Sequence, residues 1–401
     1  MLFVNLNCYK HTANFSEHKA DSDYFCAMAG IYIHIPFCKQ KCSYCNFHFS
    51  TDLNYKNQMV EFISKELEIR NKEISEPIET IYFGGGTPSL LDLNELDAIF
   101  ETIYRNYSVI ENPEITLEAN PDDLTSSKLK ELKTTPVNRL SIGIQSFFDV
   151  DLKFMNRVHN ADEAIRSIQT ARDLGFENIT IDLIYGGQTT TDQMWQKNLE
   201  TALNLEIPHI SSYALTIESK TVLAHQIQTK KLKDVDEDKQ ERQFQMLVKT
   251  LTSNDFVHYE ISNFGREGFL SQHNSNYWKG KSYLGVGPSA HSYNGKNRSW
   301  NPANNSIYLK NLAENKLVNE VEVLSENNQF NELIMIRLRT IYGLDLEELK
   351  TNFPSEFFHE FLNELQPHLD NQLVQIEKGI LYITEKGKFL ADGIAASLFR
   401  V

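Results

Sequence analysis

Six short runs of apolar, largely β-branched residues alternate with stretches of helical periodicity between residues 30 and 217. The runs span 30–36, 79–84, 114–119, 139–145, 178–185 and 209–217, and amphipathic segments near 55–73, 93–106, 125–133, 161–174 and 191–204 separate them. Short buried strands joined by helices make βαβ units, and the handedness of their crossovers imposes a parallel sheet. Six such units fall two short of a closed eight-stranded barrel. The expected fold class is therefore α/β, an open partial (β/α)6 TIM-like barrel.

Beyond a helix at 236–252 and a strand at 256–260, the alternation stops past about residue 300. Helices are predicted at 326–340, 345–352 and 355–367, followed by a hairpin over 373–383 and a last helix. Helices ahead of a small β-wing read as a winged-helix-like C-terminal domain. The predicted organisation is an unstructured N-terminal extension at 1–29, the barrel at 30–265, a connecting segment at 266–300 and the winged-helix-like domain at 301–401. Winged helices often bind DNA, but this chain of 401 residues carries a net charge of −15 and shows no basic stripe. A docking or structural role is expected, and no nucleic-acid partner. An apolar fraction of 41% with 23% charged residues excludes a disordered chain and a polytopic membrane protein.

All five cysteines, Cys8, Cys26, Cys38, Cys42 and Cys45, fall in the first 45 residues. A disulfide framework would spread them along the chain, so the clustering points to reduced thiols and a cytoplasmic location. The polar opening stretch lacks a signal-peptide core, and no run of about 18 apolar residues is present to span a membrane. Met28 stands two residues before the first predicted strand. A true start there and a genuine disordered tail over 1–27 are both open, and neither gives Cys8 or Cys26 a role.

The other three thiols sit in Pro36-Phe37-Cys38-Lys39-Gln40-Lys41-Cys42-Ser43-Tyr44-Cys45, at CxxxCxxC spacing on the loop leaving the first strand. Thiolates suit iron–sulfur clusters or zinc. Structural zinc wants a fourth ligand, which His48 could provide. A 4Fe–4S cluster on three thiolates instead keeps one iron open for a substrate. Parallel barrels gather their active groups at the C-terminal strand ends, and the strands here end in chemistry. Gly84-Gly85-Gly86-Thr87-Pro88 closes the second, Glu118 and Gln145 the third and fourth, and Asp182 lies on the fifth, with Arg157 between them. Singly, each has a plain structural reading: a flexible turn, an exposed carboxylate, a surface cation.

The CxxxCxxC loop, placed on a strand-to-loop transition, closely resembles the radical S-adenosylmethionine (SAM) superfamily. That resemblance implies an open iron chelating the amino and carboxylate groups of SAM. An electron from the cluster would then break the sulfonium bond and release a deoxyadenosyl radical, with the protein supplying position and dryness. It assigns Cys38, Cys42 and Cys45 to the cluster, Gly85, Gly86 and Thr87 to the amino group, and Glu118 and Gln145 to the ribose. Arg157 falls to the carboxylate, which a guanidinium fork suits. Tyr32, Asp182 and Ala214 also match SAM positions. An electron donor such as flavodoxin or ferredoxin is implied.

Three runs narrow the resemblance to the coproporphyrinogen dehydrogenase (HemN) group, over most of residues 30–400. They are Tyr32-Ile33-His34-Ile35-Pro36-Phe37-Cys38, Ser141-Ile142-Gly143-Ile144-Gln145-Ser146-Phe147 and Ile181-Asp182-Leu183-Ile184-Tyr185-Gly186. The group contains the dehydrogenase, which decarboxylates coproporphyrinogen III to protoporphyrinogen IX, and the HemW heme chaperones. Three features resemble HemW. Phe47 stands where the dehydrogenases carry a further cysteine, at most 29 residues precede the first strand where they have a structured extension, and His273-Asn274-Ser275-Asn276-Tyr277-Trp278 matches the HNxxYW motif associated with heme binding.

The expected function is a chaperone that binds heme as cargo and passes it to acceptor hemoproteins, meeting membranes only through those acceptors. The alternative is an oxygen-independent coproporphyrinogen III dehydrogenase, and enzymatic activity stays open. Imidazole is a common axial heme ligand, and Tyr277 and Trp278 offer flat apolar area beside it. His273 is thus the candidate ligand and His291 a second, while His34 and His258 read as core. HNxxYW also has a packing reading: a buried, satisfied histidine with aromatics wedged between the barrel and the next domain. Where the family reads YGLP, this chain has Tyr185-Gly186-Gly187-Gln188. That exchange should loosen the turn and leave Asp182 in place.

Overall fold

The computed structural model describes residues 28–400; Cys8, Cys26 and the expected tail lie outside the described residues. Six parallel strands follow one another in chain order through the centre of a single sheet. They are β1 (Ala29–Ile35), β2 (Ile78–Gly85), β3 (Val109–Ala119), β4 (Arg139–Gln145), β5 (Asn178–Tyr185) and β6 (His209–Ala214). Between them run α1 (Lys56–Ile69), α2 (Leu93–Asn106), α3 (Ser126–Leu132), α4 (Asp149–Phe154), α5 (Ala161–Asp173) and α6 (Asp192–Asn204). Local chemistry sets the helix starts. Asp92 with Glu95 and Asn160 with Glu163 form reciprocal capping boxes at α2 and α5, and the Thr191 hydroxyl caps α6.

Side chains alternate across a strand, and here the two faces differ in kind. Ile31, Ile33, Ile81, Phe83, Ile115, Leu117, Leu140, Ile142, Ile179 and Ile181 are buried in the main apolar core beneath the helices. The intervening positions, among them Thr80, Tyr82, Glu114, Glu118, Arg139, Asp182 and His209, face the barrel interior. A barrel usually fills that space with branched apolar residues. This one lines it with polar groups, so it is built as a chamber.

After β6 come α7 (Val222–Gln228), α8 (Glu237–Thr252), β7 (Val257–Glu260), β8 (Asn263–Gly265) and α9 (Gln272–Trp278). Strand β8 pairs antiparallel with β6 and β7 lies outside it. The stretch expected to be a connecting segment is instead part of the sheet. Within it β9 (Tyr283–Val286) pairs parallel with β1, setting Gly30 against Tyr283. Beyond it lie β10 (His291–Tyr293), β11 (Asn297–Trp300) and, after α10 (Asn305–Ala313), β12 (Glu320–Val323), which complete a 12-stranded sheet. Strands of three or four residues are too short to show a period in sequence.

The C-terminal part has its own apolar core around Phe330, Ile334, Phe361, Leu365 and Leu381. Its order is α11 (Glu326–Leu338), β13 (Leu344–Asp345), α12 (Leu346–Asn352), α13 (Ser355–Asp370), then the hairpin β14 (Val374–Glu377) and β15 (Ile380–Ile383), then α14 (Ala391–Ser397). Helix, strand, two helices and a wing is the winged-helix arrangement. It docks on β7: the Ile341 N–H donates to the Tyr259 carbonyl (3.1 Å) and the Ile261 N–H to that of Arg339 (3.0 Å). Arg339 Nη2 also donates to the buried Glu260 Oε1 at 2.8 Å.

Candidate functional site

The cysteine loop leaves β1 and is closed at its base, where the Cys38 N–H donates to the Ser50 carbonyl (3.0 Å) and the Ser50 N–H to that of Pro36 (2.9 Å). Further ties hold its tip. The Ser43 N–H donates to the Met155 carbonyl (3.0 Å), Asn156 Nδ2 to that of Lys41 (2.7 Å), and Asn46 Nδ2 to Glu218 (2.9 Å). Three chain segments therefore fix where the thiols point. Arg157 Nη1 lies 3.4 Å from Cys42 Sγ, and its Nη2 donates to Asn120 Oδ1 and the Gly143 carbonyl, both at 2.7 Å. Its Nε is buried with no partner among the described residues. Burial pushes the Cys38 thiol up to about 11, a penalty that a cation bound to the sulfur reverses.

Cys38, Cys42, Cys45, Gly85, Gly86, Thr87, Glu118, Gln145, Arg157, Asp182 and Ala214 line one cavity of about 500 Å³ at the C-terminal strand ends. Tyr32 sits just below it, against Gly84 and stacked on Tyr82. Two glycines let this strand end pack closely against β1 and the base of the cysteine loop. A Cβ on Gly86 would lie 2.5 Å from the Phe37 carbonyl oxygen, and Gly85 takes a φ of +100°. Gln145 is left-handed as well, at φ 68°, a strained state for a residue with a Cβ that places its side chain at the chamber rim.

Glu118 accepts from the Tyr82 hydroxyl (2.8 Å) and the Gly85 N–H (3.2 Å). Burial and the nearby Asp182 carboxylate nevertheless raise it to about 7. Burial likewise lifts Asp182 to about 6, against the pull of Arg139 and Arg157. Two carboxyls poised near neutrality face a half-buried guanidinium and three thiols. Such a set suits a polar, cationic ligand that brings its own carboxylate.

The HNxxYW residues lie at the opposite end of the barrel. Glu114, on β3, accepts the N–H groups of Gln272 (3.0 Å) and His273 (2.9 Å) and so pins the start of α9 across the barrel floor. The His273 ring is 2% exposed. Its Nδ1 bonds the Thr80 hydroxyl and its Nε2 the Tyr277 hydroxyl, each at 2.8 Å, and it stacks on Tyr82 at 5.0 Å. Both nitrogens are engaged in this fold, the arrangement that the packing alternative describes. Trp278 meets the second domain, with the Arg339 guanidinium 5.3 Å above its ring. His291, the second candidate, is exposed, its ring against Trp300 at 5.9 Å.

Residues 32–202 match the model of the radical SAM superfamily, and residues 324–390 that of the HemN C-terminal domain. The chain is 34% identical to the heme chaperone HemW of Lactococcus lactis, over 90% of its own length and 97% of that protein's. It is 31% identical to the heme chaperone HemW of Bacillus subtilis, over 92% and 98%. The chain belongs to the HemW family of radical SAM proteins. The coproporphyrinogen III oxidase HemN of Escherichia coli has a similar fold, with a TM-score of 0.81 and 22% identity over 93% of this chain and 90% of that one.

Radical SAM chains such as HemW use a 4Fe–4S cluster and SAM, and the residues fit both. Mononuclear zinc needs about four donors converging on one point at roughly 2.3 Å. No such group of His, Cys, Asp or Glu occurs among the described residues, and His48 Nε2 is engaged by Asn305 Oδ1 at 2.7 Å. A cluster binds each thiolate through a different iron, so its ligands stand farther apart. The buried Arg157 Nε, with no partner among the described residues, is a donor that the carboxylate of SAM would satisfy. In this HemW chain the Gly186-Gly187 turn is also tighter than its sequence implies. Gln243 Oε1 accepts the Gly186 N–H (2.7 Å) and Lys239 Nζ donates to the Gly187 carbonyl (2.7 Å). Sequence reading missed Asn120, Tyr44 and Tyr213 as cavity residues; only Asn120-Pro121, two residues after Glu118, offered a signal.

Proposed function

We propose that this chain is a heme chaperone, taking up heme as cargo and delivering it to acceptor hemoproteins, with the cluster and SAM as parts of that device. Near full-length similarity to two proteins named heme chaperone HemW carries this reading. Phe47 in place of a fourth cysteine beside the cluster supports it.

SAM supplies a sulfonium bond that one electron can cleave. The chain's own part is to hold it: Cys38, Cys42 and Cys45 anchor the cluster, Arg157 grips the carboxylate, and Gly85, Gly86 and Thr87 receive the amino group. Glu118 and Gln145 bind the ribose, with Tyr32, Asp182 and Ala214 completing the wall. Reduced flavodoxin or ferredoxin serves as the electron donor, and the reduced thiols suit a cytoplasmic setting. No described helix is long and apolar enough to cross a membrane.

The competing reading, coproporphyrinogen III dehydrogenase, draws on machinery that both functions need. Anaerobic cluster reconstitution followed by parallel hemin titration and coproporphyrinogen turnover separates them. Saturable heme binding without decarboxylation is expected. Turnover without heme binding would reverse the assignment.

A further inference from the structure

The deep part of the cavity is charged, but its mouth is aromatic. Phe47 follows the cluster loop's last cysteine by two residues and is 68% exposed. Tyr213, on β6 and one position before Ala214, is 45% exposed while lining the same cavity. Neither is exposed because its segment lies loose. The residue before Phe47 is held by the Asn46–Glu218 hydrogen bond (2.9 Å), and the Leu223 N–H donates to the Ser43 carbonyl (2.9 Å). These contacts bring the cluster loop up against the chain leaving β6, so the two aromatics stand on adjoining walls of one mouth. Tyr213 lies near Ser211 and Asp182 and keeps nearly half of its surface exposed.

We infer that Phe47 and Tyr213 form a seat for one face of a planar tetrapyrrole at the mouth of the cluster cavity. The inference rests on the heme-carrier reading and deepens it. SAM, a polar cation with its own carboxylate, is served by Arg157, Glu118 and Asp182 and has no need of two open aromatic faces. A flat conjugated macrocycle does, because its area is apolar and it packs best against rings. Other exposed apolar side chains, such as Val321 and Val323 on the edge strand β12, are not part of this cavity's lining. With His273 closed off in the floor, face contact is the mode of recognition that the chamber offers.

The test uses the full chain with its cluster reconstituted and SAM present, titrated anaerobically with hemin and with metal-free protoporphyrin IX. Seating by stacking requires that both bind. Phe47→Ala and Tyr213→Leu should each weaken both porphyrins about tenfold, the scale of a lost aromatic contact, and Phe47→Trp should restore binding. Iron content and SAM affinity should stay parental, and Val323→Ala should change nothing. Parental affinity for both porphyrins in Phe47→Ala and Tyr213→Leu would overturn the seat while leaving the heme-carrier reading intact. So would a parent that binds hemin but not the metal-free ring, since recognition would then run through the iron. A parent with no saturable hemin binding would instead sink the function itself.

Discussion

His273→Ala separates the two readings of the HNxxYW segment, and its cost can be worked from the contacts. The ring is enclosed, makes two hydrogen bonds of 2.8 Å and stacks on Tyr82. Each buried bond contributes about 1 kcal/mol, and the Thr80 hydroxyl, fully buried, would be left without its partner. Removing the ring also opens a void between Tyr82 and Gly30, whose missing Cβ makes space for the imidazole. Together these destabilise the barrel by about 3 kcal/mol. Urea unfolding should show the loss as a lower midpoint with an unchanged slope, and His273→Gln, which can keep one bond, should lose about half as much. Hemin titration of the same variants should give the parental affinity and absorption spectrum. Parental stability in His273→Ala would refute the floor assignment, and a displaced heme spectrum with parental iron content would restore the axial-ligand reading.

Substituting Ala for Cys38, Cys42 or Cys45 should abolish the cluster in reconstituted protein, whereas Cys8→Ala and Cys26→Ala should retain it; iron analysis and visible absorption decide. Arg157→Ala should keep the iron yet weaken SAM by ten- to a hundredfold, about 1.5–3 kcal/mol for a charge-assisted contact. Because Glu118 lies near 7 through burial and Asp182, SAM affinity should fall as the pH drops below about 7, and Glu118→Gln should bind more weakly with that dependence flattened. An identical pH profile in the variant would remove Glu118 from the ribose. Burial holds His34 and His159 near 4, His258 and His273 near 3, and His209 lower than its ordinary range. All five stay neutral in the fold and take up a proton on unfolding below about pH 6.5, so stability falls as the pH drops, each contributing about 1.4 kcal/mol per pH unit. Glu118 and Asp182, raised in the fold, oppose this with the reverse sign but number two against five. Urea midpoints at pH 7.5 and 5.5 should therefore differ, and by less in His209→Gln.

The central strands and their helices were legible because each is long enough to show a period: Ile31, Ile33 and Ile35 alternate with Gly30, Tyr32 and His34 over a full strand. The strand-end residues were legible because a parallel barrel delivers strand ends to one face, so Gly85, Glu118, Gln145 and Asp182 had to meet once the strands were placed. The cysteine spacing settled the rest of that face by local chain reach. Strands β9 to β12 were not legible, since three or four residues carry no periodicity and their partners lie far away in the chain.

What the sequence determined by itself was the order of strands and helices, the cluster loop and the carboxylate–guanidinium set, all products of local pattern and of barrel geometry. Only the tertiary structure decided which end of the barrel each remaining residue occupies. Nothing in the residues around His273 says that it seals the floor, at the end of the barrel opposite the cysteine loop. That outcome depends on Glu114 capturing α9 from 158 residues away and on β9 pairing with β1. Whether an aromatic is core or surface is equally non-local. Phe37 is fully buried and Phe47 68% exposed, ten positions apart on one loop, because the walls that enclose the first and leave the second uncovered come from other parts of the chain.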